Sequence, residues 1–445
     1  MAAPSWVQHA IWWQVYPLGF AGAERSAPAP GGVPGDGLRR LLPWLDYAVE
    51  LGASGIALGP VFAAETHGYD TTDYYRIDPR LGDGGDFDRL VAEAHARGLR
   101  VLLDGVFNHV GRSFAPFRDA VRGGPGASTA PWFSLDWSGR APGTEPGYAD
   151  FEGHHQLVAL NHAEPDVAAF VAGVMKHWLG RGADGWRLDA AYAVPPSFWT
   201  RVLGAVRREF PEAYFVGEYI HGDYAAAVAA GSLDSATQYE LWKAIWSSLN
   251  DANYYELAAA LERHNAMLES FAPLTFVGNH DVTRIASRLT DPALLPLALV
   301  VLFTVGGTPS VYYGDEQAFR GTKEDRVGGD DDVRPAFPAD PAGLPGAGGP
   351  VFGLHRQLIG LRRLHPWLHT ARSTVHFLAN GSLSYSVVGA DPVRERLVVA
   401  LNLAAEPADV EVPAPAAAVV AGSGTLSPGR IRLGGRGWAI LADGT

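Results

Sequence analysis

The sequence contains no cysteine, which excludes disulfide staples and thiolate-held metal sites and is compatible with a reducing compartment. Positive charge is scarce: 35 Lys and Arg stand against 48 Asp and Glu, a formal net charge of −13. That balance disfavours a polyanionic partner, so nucleic acid is not expected as a substrate. No apolar run reaches membrane-spanning length, and the opening stretch MAAPSWVQHAIWWQVY lacks the basic region, apolar segment and small-residue cleavage site of a leader. A cytoplasmic chain with no membrane partner is the expectation.

What the chain has is bulk. Its 445 residues, 47% of them hydrophobic and 11% aromatic, fill a large core and exceed one ordinary compact domain. Short apolar runs alternate with helical spacings. Residues 11–16 (IWWQVY) read as a strand, 38–51 as a helix stopped by Gly52, 55–58 as a strand, and 86–95 as a helix capped by Asp86 and closed by Gly98. A strand follows at 99–104. The alternation pauses over 110–165, which is rich in Gly, Pro, Ser and aromatics, then resumes. Helices are expected at 166–179, 197–210, 255–267, 293–303 and 351–364, and strands at 185–189, 214–218, 235–239, 274–277 and 310–313. From about 371 the chain changes to short alternating runs between Gly, Pro and Asn turns, the mark of an antiparallel sheet. The expected fold is α/β: a (β/α)8 TIM barrel over 1–109 and 166–370, an inserted domain over 110–165 after strand 3, and a C-terminal antiparallel β-sandwich over 371–445.

The chemistry centres on Gly185, Trp186, Arg187, Leu188 and Asp189. Alternation along a strand sends Arg187 and Asp189 to one face while Trp186 and Leu188 pack the other. Other apolar runs also end in acids, at 99–104, 214–218 and 274–281. In a barrel the carboxyl ends of the strands converge, so Asp104, His109, Arg187, Asp189, Glu218, His280 and Asp281 are expected to meet. Retaining glycoside cleavage needs a nucleophilic carboxylate and an acid about 5 Å apart, roles that suit Asp189 and Glu218. Arg187 beside Asp189 favours its ionised form, and the apolar run before Glu218 offers the desolvated setting in which an acid keeps its proton.

Four segments, DGVFNH (104–109), GWRLDAAY (185–192), GEY (217–219) and FVGNHD (276–281), resemble in order and spacing the signature regions of the α-amylase family, glycoside hydrolase family 13. Further likeness lies in HGYDTTDYY (67–75), LVALNHAEPDV (157–167), GTPSVYYGDE (307–316) and DDDVRP (330–335). The resemblance implies Asp189 as nucleophile, Glu218 as acid/base and Asp281 as the third carboxylate, stabilising the transition state. It implies sugar contacts from His67, Tyr69, His109, Arg187 and His280, and a site closed by Asp330 and Arg334. Of the aromatics Trp132, Phe133, Trp137, Tyr148, Phe151, Trp242 and Trp246, about a third are expected to face sugar, Trp242 first.

FNHVGRSFAPFRDA (107–120) is similar to the branch of cyclomaltodextrinases, neopullulanases and maltogenic amylases. That branch usually carries a β-rich domain ahead of the barrel, and here the first strand begins near residue 11; some relatives without the domain act on cyclic tetrasaccharides of maltose units. The expected activity is hydrolysis of α-1,4, and by the resemblance also α-1,6, bonds in short linear or cyclic malto-oligosaccharides. The alternative is a transglycosylase or glucoside isomerase using the same double displacement. The partners expected are an oligosaccharide and a second copy of the chain, in a dimer built differently from that branch's. The family's calcium site would use Asn108 and a basic-residue–His pair after the nucleophile. Ala190, Ala191 and Tyr192 stand there instead, so neither calcium nor any other cofactor is expected.

Overall fold

The computed structural model describes residues 3–23, 35–138, 144–326, 328–344, 349–414 and 416–443, without the side chains of residues 417 and 443. Part of the insertion and residue 327, just ahead of DDDVRP, lie outside the described residues.

Eight strands, buried along most of their length and largely apolar apart from the polar residues that face the barrel interior, form one parallel sheet. They are β1 (Trp12–Val15), β2 (Gly55–Leu58), β3 (Arg100–Gly105), β4 (Gly185–Leu188), β5 (Tyr214–Gly217), β6 (Ser235–Ala236), β7 (Leu274–Phe276) and β8 (Thr308–Tyr312). Their order is β6-β5-β4-β3-β2-β1-β8-β7. A parallel bridge from Thr237 to Leu274 joins the two edges, so the sheet closes on itself. Inside the barrel Trp12, Leu102, Tyr214 and Val216 pack with Val7 and Ala10, and the turn Ser5–His9 covers that end. Outside, Trp186 and Leu188 are fully buried against the helical layer, as the alternation requires.

Several helices differ in detail from their sequence signals. The helix expected over 38–51 is two, Gly37–Leu41 and Trp44–Leu51, separated at Leu42 and Pro43. The helix Gly84–Ala96 is capped by Asp83 rather than Asp86. Asp83 accepts from the backbone of Gly85 and Asp86, and Asp86 answers as the return half of a capping box. The sixth strand stops at Ala236 because residue 239 already opens a helix, Tyr239–Asn250. Its signal lay in Leu241, Ala244, Ile245, Ser248 and Leu249, at helical spacing and all buried. The helix Tyr224–Gly231, built of YAAAVAAG, carried no amphipathic pattern to read.

The insertion holds a helix, Ala115–Gly123, and a three-stranded antiparallel sheet of His109–Gly111, His154–Ala159 and Asp150–Phe151. The C-terminal part has a five-stranded and a three-stranded antiparallel sheet, with Val398, Ala400, Val410, Ile431, Leu433 and Leu441 buried between them. It docks on the barrel helix Tyr255–Leu268, where Asn265 exchanges two hydrogen bonds with the backbone of Ser373, at 2.7 and 2.8 Å.

Candidate active site

Strand register decides which side chains meet. Arg187 of β4 lies directly opposite Asp104 of β3 and Val216 of β5, all pointing into the barrel. Arg187 Nη1 therefore reaches both Asp104 oxygens at 2.7 Å. The same nitrogen lies 3.2 Å from Asp189 Oδ1, and Nη2 lies 2.7 Å from Glu218 Oε1. One guanidinium with 12% of its side chain exposed thus ties together carboxylates from the ends of three adjacent strands.

Glu218 is held on both oxygens. Oε1 accepts from Arg187 and from the Tyr239 hydroxyl at 3.3 Å, and Oε2 accepts from the backbone N–H of Ala190 at 3.0 Å. That N–H is aimed by a left-handed turn: Ala190, a non-glycine residue, sits at φ 44° immediately after Asp189. The surroundings of Glu218 are thus polar, because strand alternation turns Phe215 outward while Arg187 and Tyr239 face the carboxylate.

Asp281 lies on the loop after β7. His280 Nε2 donates to its Oδ2 at 2.9 Å and Arg334 Nη2 to its Oδ1 at 2.8 Å; Arg334 also bonds the His280 carbonyl and Asp330. His280 Nδ1 accepts from Gln14 of β1 at 3.2 Å, which leaves Nε2 to carry the hydrogen that faces Asp281. Tyr69 bonds His280 and Asp104 through its hydroxyl, and its ring lies parallel to His280.

The electrostatics sort the acids. Burial outweighs the cations at Asp189, and the charges of Glu218, Asp104 and Asp281 add to it, so its carboxyl is pushed well above the usual range despite Arg187. Arg187 favours the ionised form of Asp189, as its place on the same strand face suggests, but its guanidinium is shared among three acids and burial outweighs it. Burial and the Glu218 charge also raise Asp104, against the pull of Arg187. At Asp281 burial is overcome by His280 and Arg334, which hold the carboxyl well below its ordinary value. Burial pushes His109 down to about 4, so its ring is neutral. Its Nε2–H donates to the Tyr69 carbonyl at 3.0 Å, and Nδ1 accepts from Asn108 at 3.1 Å.

Above these groups opens a cleft of about 320 Å³ lined by Tyr69, His109, Asp189, Glu218 and Asp281 together with Phe151, Tyr192, Tyr239, Ile220 and Lys323. Arg187 and His280 lie just beneath it and Arg334 behind Asp281. His67 is exposed beside the cleft, its ring accepting the Tyr69 N–H, and Asp330 pairs with Lys323 at 3.3 Å. Trp242 is not part of the lining: its ring stacks on Phe276 and meets Tyr239 edge-on. Of the aromatics singled out, Phe151 is the one that reaches the cleft, lying flat on His109 at 4.7 Å. Tyr192 was not singled out as a lining residue. Its hydroxyl donates to Glu152 at 2.9 Å and so ties the turn after β4 to the inserted hairpin. Tyr239 carried no signal beyond its place as the last residue of the expected sixth strand, 235–239.

The Asn108 amide nitrogen donates to His109 Nδ1 at 3.1 Å and so helps to orient that imidazole.

Residues 14–343 match the family model described as alpha amylase, catalytic domain. A cyclomaltodextrinase of Geobacillus thermopakistaniensis is 30% identical over 435 residues, spanning 92% of this chain and 71% of that one. The chain spans 58% to 61% of the length of further cyclomaltodextrinase, maltogenic amylase and neopullulanase relatives. The ligand-free cyclic α-maltosyl-(1→6)-maltose hydrolase of Arthrobacter globiformis superposes with a TM-score of 0.83 at 27% identity, covering 99% of this chain and 100% of that one. The acarbose-soaked debranching enzyme of Nostoc punctiforme gives the same score, identity and coverage. Among the described residues, no helix is long and apolar enough to cross a membrane.

Proposed function

The chain belongs to the α-amylase family of glycoside hydrolases, and on that premise we propose that it is a retaining hydrolase of short linear or cyclic malto-oligosaccharides, with Asp189 as nucleophile, Glu218 as acid/base and Asp281 as the third carboxylate. The observation that carries this reading is the bridging of Asp189 and Glu218 by adjacent nitrogens of Arg187, with Asp281 lining the same cleft.

Coupling between the two acids explains how each takes its role. The Glu218 charge is one of the causes that raise Asp189. A proton on Glu218 removes that repulsion, one of the larger causes raising Asp189, so we place the one proton of the reactive pair on Glu218, with Arg187 beside the ionised nucleophile. Asp189 then attacks the anomeric carbon as Glu218 protonates the departing glycosidic oxygen. Once Asp189 is esterified, Glu218 is an anion steadied by Arg187, Tyr239 and the Ala190 N–H, ready to deprotonate the incoming water. Asp281, held ionised by His280 and Arg334, faces the positive charge that develops on the sugar.

Near-full coverage of both chains against the cyclic maltosyl-maltose hydrolase favours a cyclic tetrasaccharide among the substrates. An intracellular site of action is the matching proposal, since one Bacillus subtilis relative is named an intracellular maltogenic amylase. The test is NMR of the first product formed from maltotriose, a cyclodextrin, panose and cyclic maltosyl-maltose, each with Asp189→Asn and Glu218→Gln. The α-anomer is expected first, with losses of about 10³-fold or more on maltotriose in both variants. First release of the β-anomer, or an Asp189→Asn variant of near-normal activity, overturns the assignment.

A further inference from the structure

Tyr239 lies at the start of the helix after β6, buried between Phe276, at 4.9 Å between ring centroids, and Trp242, at 5.9 Å. Its hydroxyl has two neighbours of opposite demand. The Asn279 amide nitrogen donates to it at 3.0 Å, and Glu218 Oε1 lies 3.3 Å away. Asn279 is oriented in turn by the Asp281 N–H, which donates to its Oδ1 at 2.8 Å and so forces the NH2 group toward the tyrosine. With a lone pair taken by Asn279, the hydroxyl points its hydrogen at Glu218. Burial and the nearby carboxylates push this phenol well above its ordinary range, so that hydrogen stays in place.

The two oxygens of Glu218 are consequently unlike. Among the described residues Oε1 receives two donors, Arg187 Nη2 and the Tyr239 hydroxyl, whereas Oε2 receives the Ala190 N–H alone. A carboxyl oxygen that bears a proton is a poor acceptor with little room for two further donors. We propose that Tyr239 is a positioning residue that, with Arg187, reserves Oε1 as the carbonyl-like oxygen and confines the catalytic proton of Glu218 to Oε2, the oxygen that delivers it to the glycosidic bond. In the bond-breaking step that proton passes from Oε2 to the leaving oxygen while the electrons of the C–O bond depart with it and Asp189 forms the new bond. The relay from the Asp281 loop through Asn279 and Tyr239 also sets the acid's proton in register with the carboxylate that supports the sugar's positive charge. This inference rests on the assignment of Glu218 as acid/base.

The experiment compares Tyr239→Phe, which keeps the ring between Phe276 and Trp242, with the parent enzyme on two substrates of the same sugar. Maltotriose has a leaving group that must be protonated, and α-maltosyl fluoride has one that departs with little help. Tyr239→Phe is expected to lose about tenfold in kcat/KM on maltotriose and much less on the fluoride, the scale of one hydrogen bond to a charged group. Asn279→Ala, which frees the hydroxyl to turn, is expected to show the same split to a smaller extent. Equal losses on both substrates, or no loss on either, overturn the proposal and leave Tyr239 as packing. Glu218→Gln run alongside separates the two readings. If it shows the leaving-group split and Tyr239→Phe does not, only this inference fails; if Glu218→Gln shows none, the acid/base assignment fails and the inference with it.

Discussion

Replacing Arg187 by methionine removes the cation that, among the described residues, touches Asp104, Asp189 and Glu218 together. The side chain keeps its approximate length, so the change is electrostatic more than steric. The three carboxylates have side chains only 2%, 10% and 9% exposed, and four contacts of 2.7 to 3.2 Å are lost at once. Removing one partner of a buried ion pair costs about 3–5 kcal/mol, and with three acids left facing one another the upper part of that range is expected at pH 7.5. A sizeable share of a typical domain stability of about 5–15 kcal/mol disappears. Asp104 and Asp189 are already raised by burial, and without the cation they rise further, so the folded variant binds protons that the unfolded chain releases. Stability relative to the parent is therefore regained as pH falls and lost as it rises. Urea unfolding of both proteins at pH 7.5 and 5.5 reads this directly, with a midpoint gap that narrows at the lower pH. Arg187→Lys restores one charge but not the planar fork that reaches three acids, and is expected to fall between the two. A cost below about 1 kcal/mol, or one that is the same at both pH values, would refute the view of Arg187 as the shared counter-ion.

Asp189→Asn is expected to be more stable than the parent above neutrality, because it removes a carboxyl whose folded pKa is raised and whose ionised form therefore costs stability as pH rises. Thermal melts from pH 5.5 to 8.5 should show the advantage growing with pH, and a less stable variant throughout contradicts the sign of that shift. Trp242→Phe is expected to leave KM for maltotriose within about twofold while lowering stability by about 1–2 kcal/mol, since the indole packs on Phe276 and Tyr239. A KM rise with unchanged stability would return Trp242 to the substrate.

Much of the architecture could be read from the chain because it rests on local periodicity. Strands buried on both faces have few polar alternatives, and the alternation in GWRLD sends Arg187 and Asp189 one way and Trp186 and Leu188 the other wherever that strand is placed. Helix ends were less legible. Asp83 and Asp86 are both plausible caps, and only the reciprocal hydrogen bonds show which one begins the helix. The sixth strand was overextended because its pairing ends where Tyr239 turns into a helix, a limit set by its neighbours.

The candidate site divides in the same way. That Asp189 and Glu218 stand at strand ends, and Asp281 in the loop just beyond one, follows from sequence, and so does their convergence once the strands close into a barrel. How the charges are shared does not, since adjacent residues suggest a private pair between Arg187 and Asp189. Register across β3, β4 and β5 makes Arg187 common property, with its shortest contacts to Asp104 and Glu218. Trp242 shows the same limit, because its position after a strand says nothing of the direction in which the following helix turns it. Sequence determined which groups arrive at the barrel mouth, through periods of two and near four residues along the backbone. Tertiary structure alone decided their partners and protons, because hydrogen bonding and Coulomb interactions act through space between residues far apart in the chain, as from Gln14 to His280 or from Asn279 through Tyr239 to Glu218.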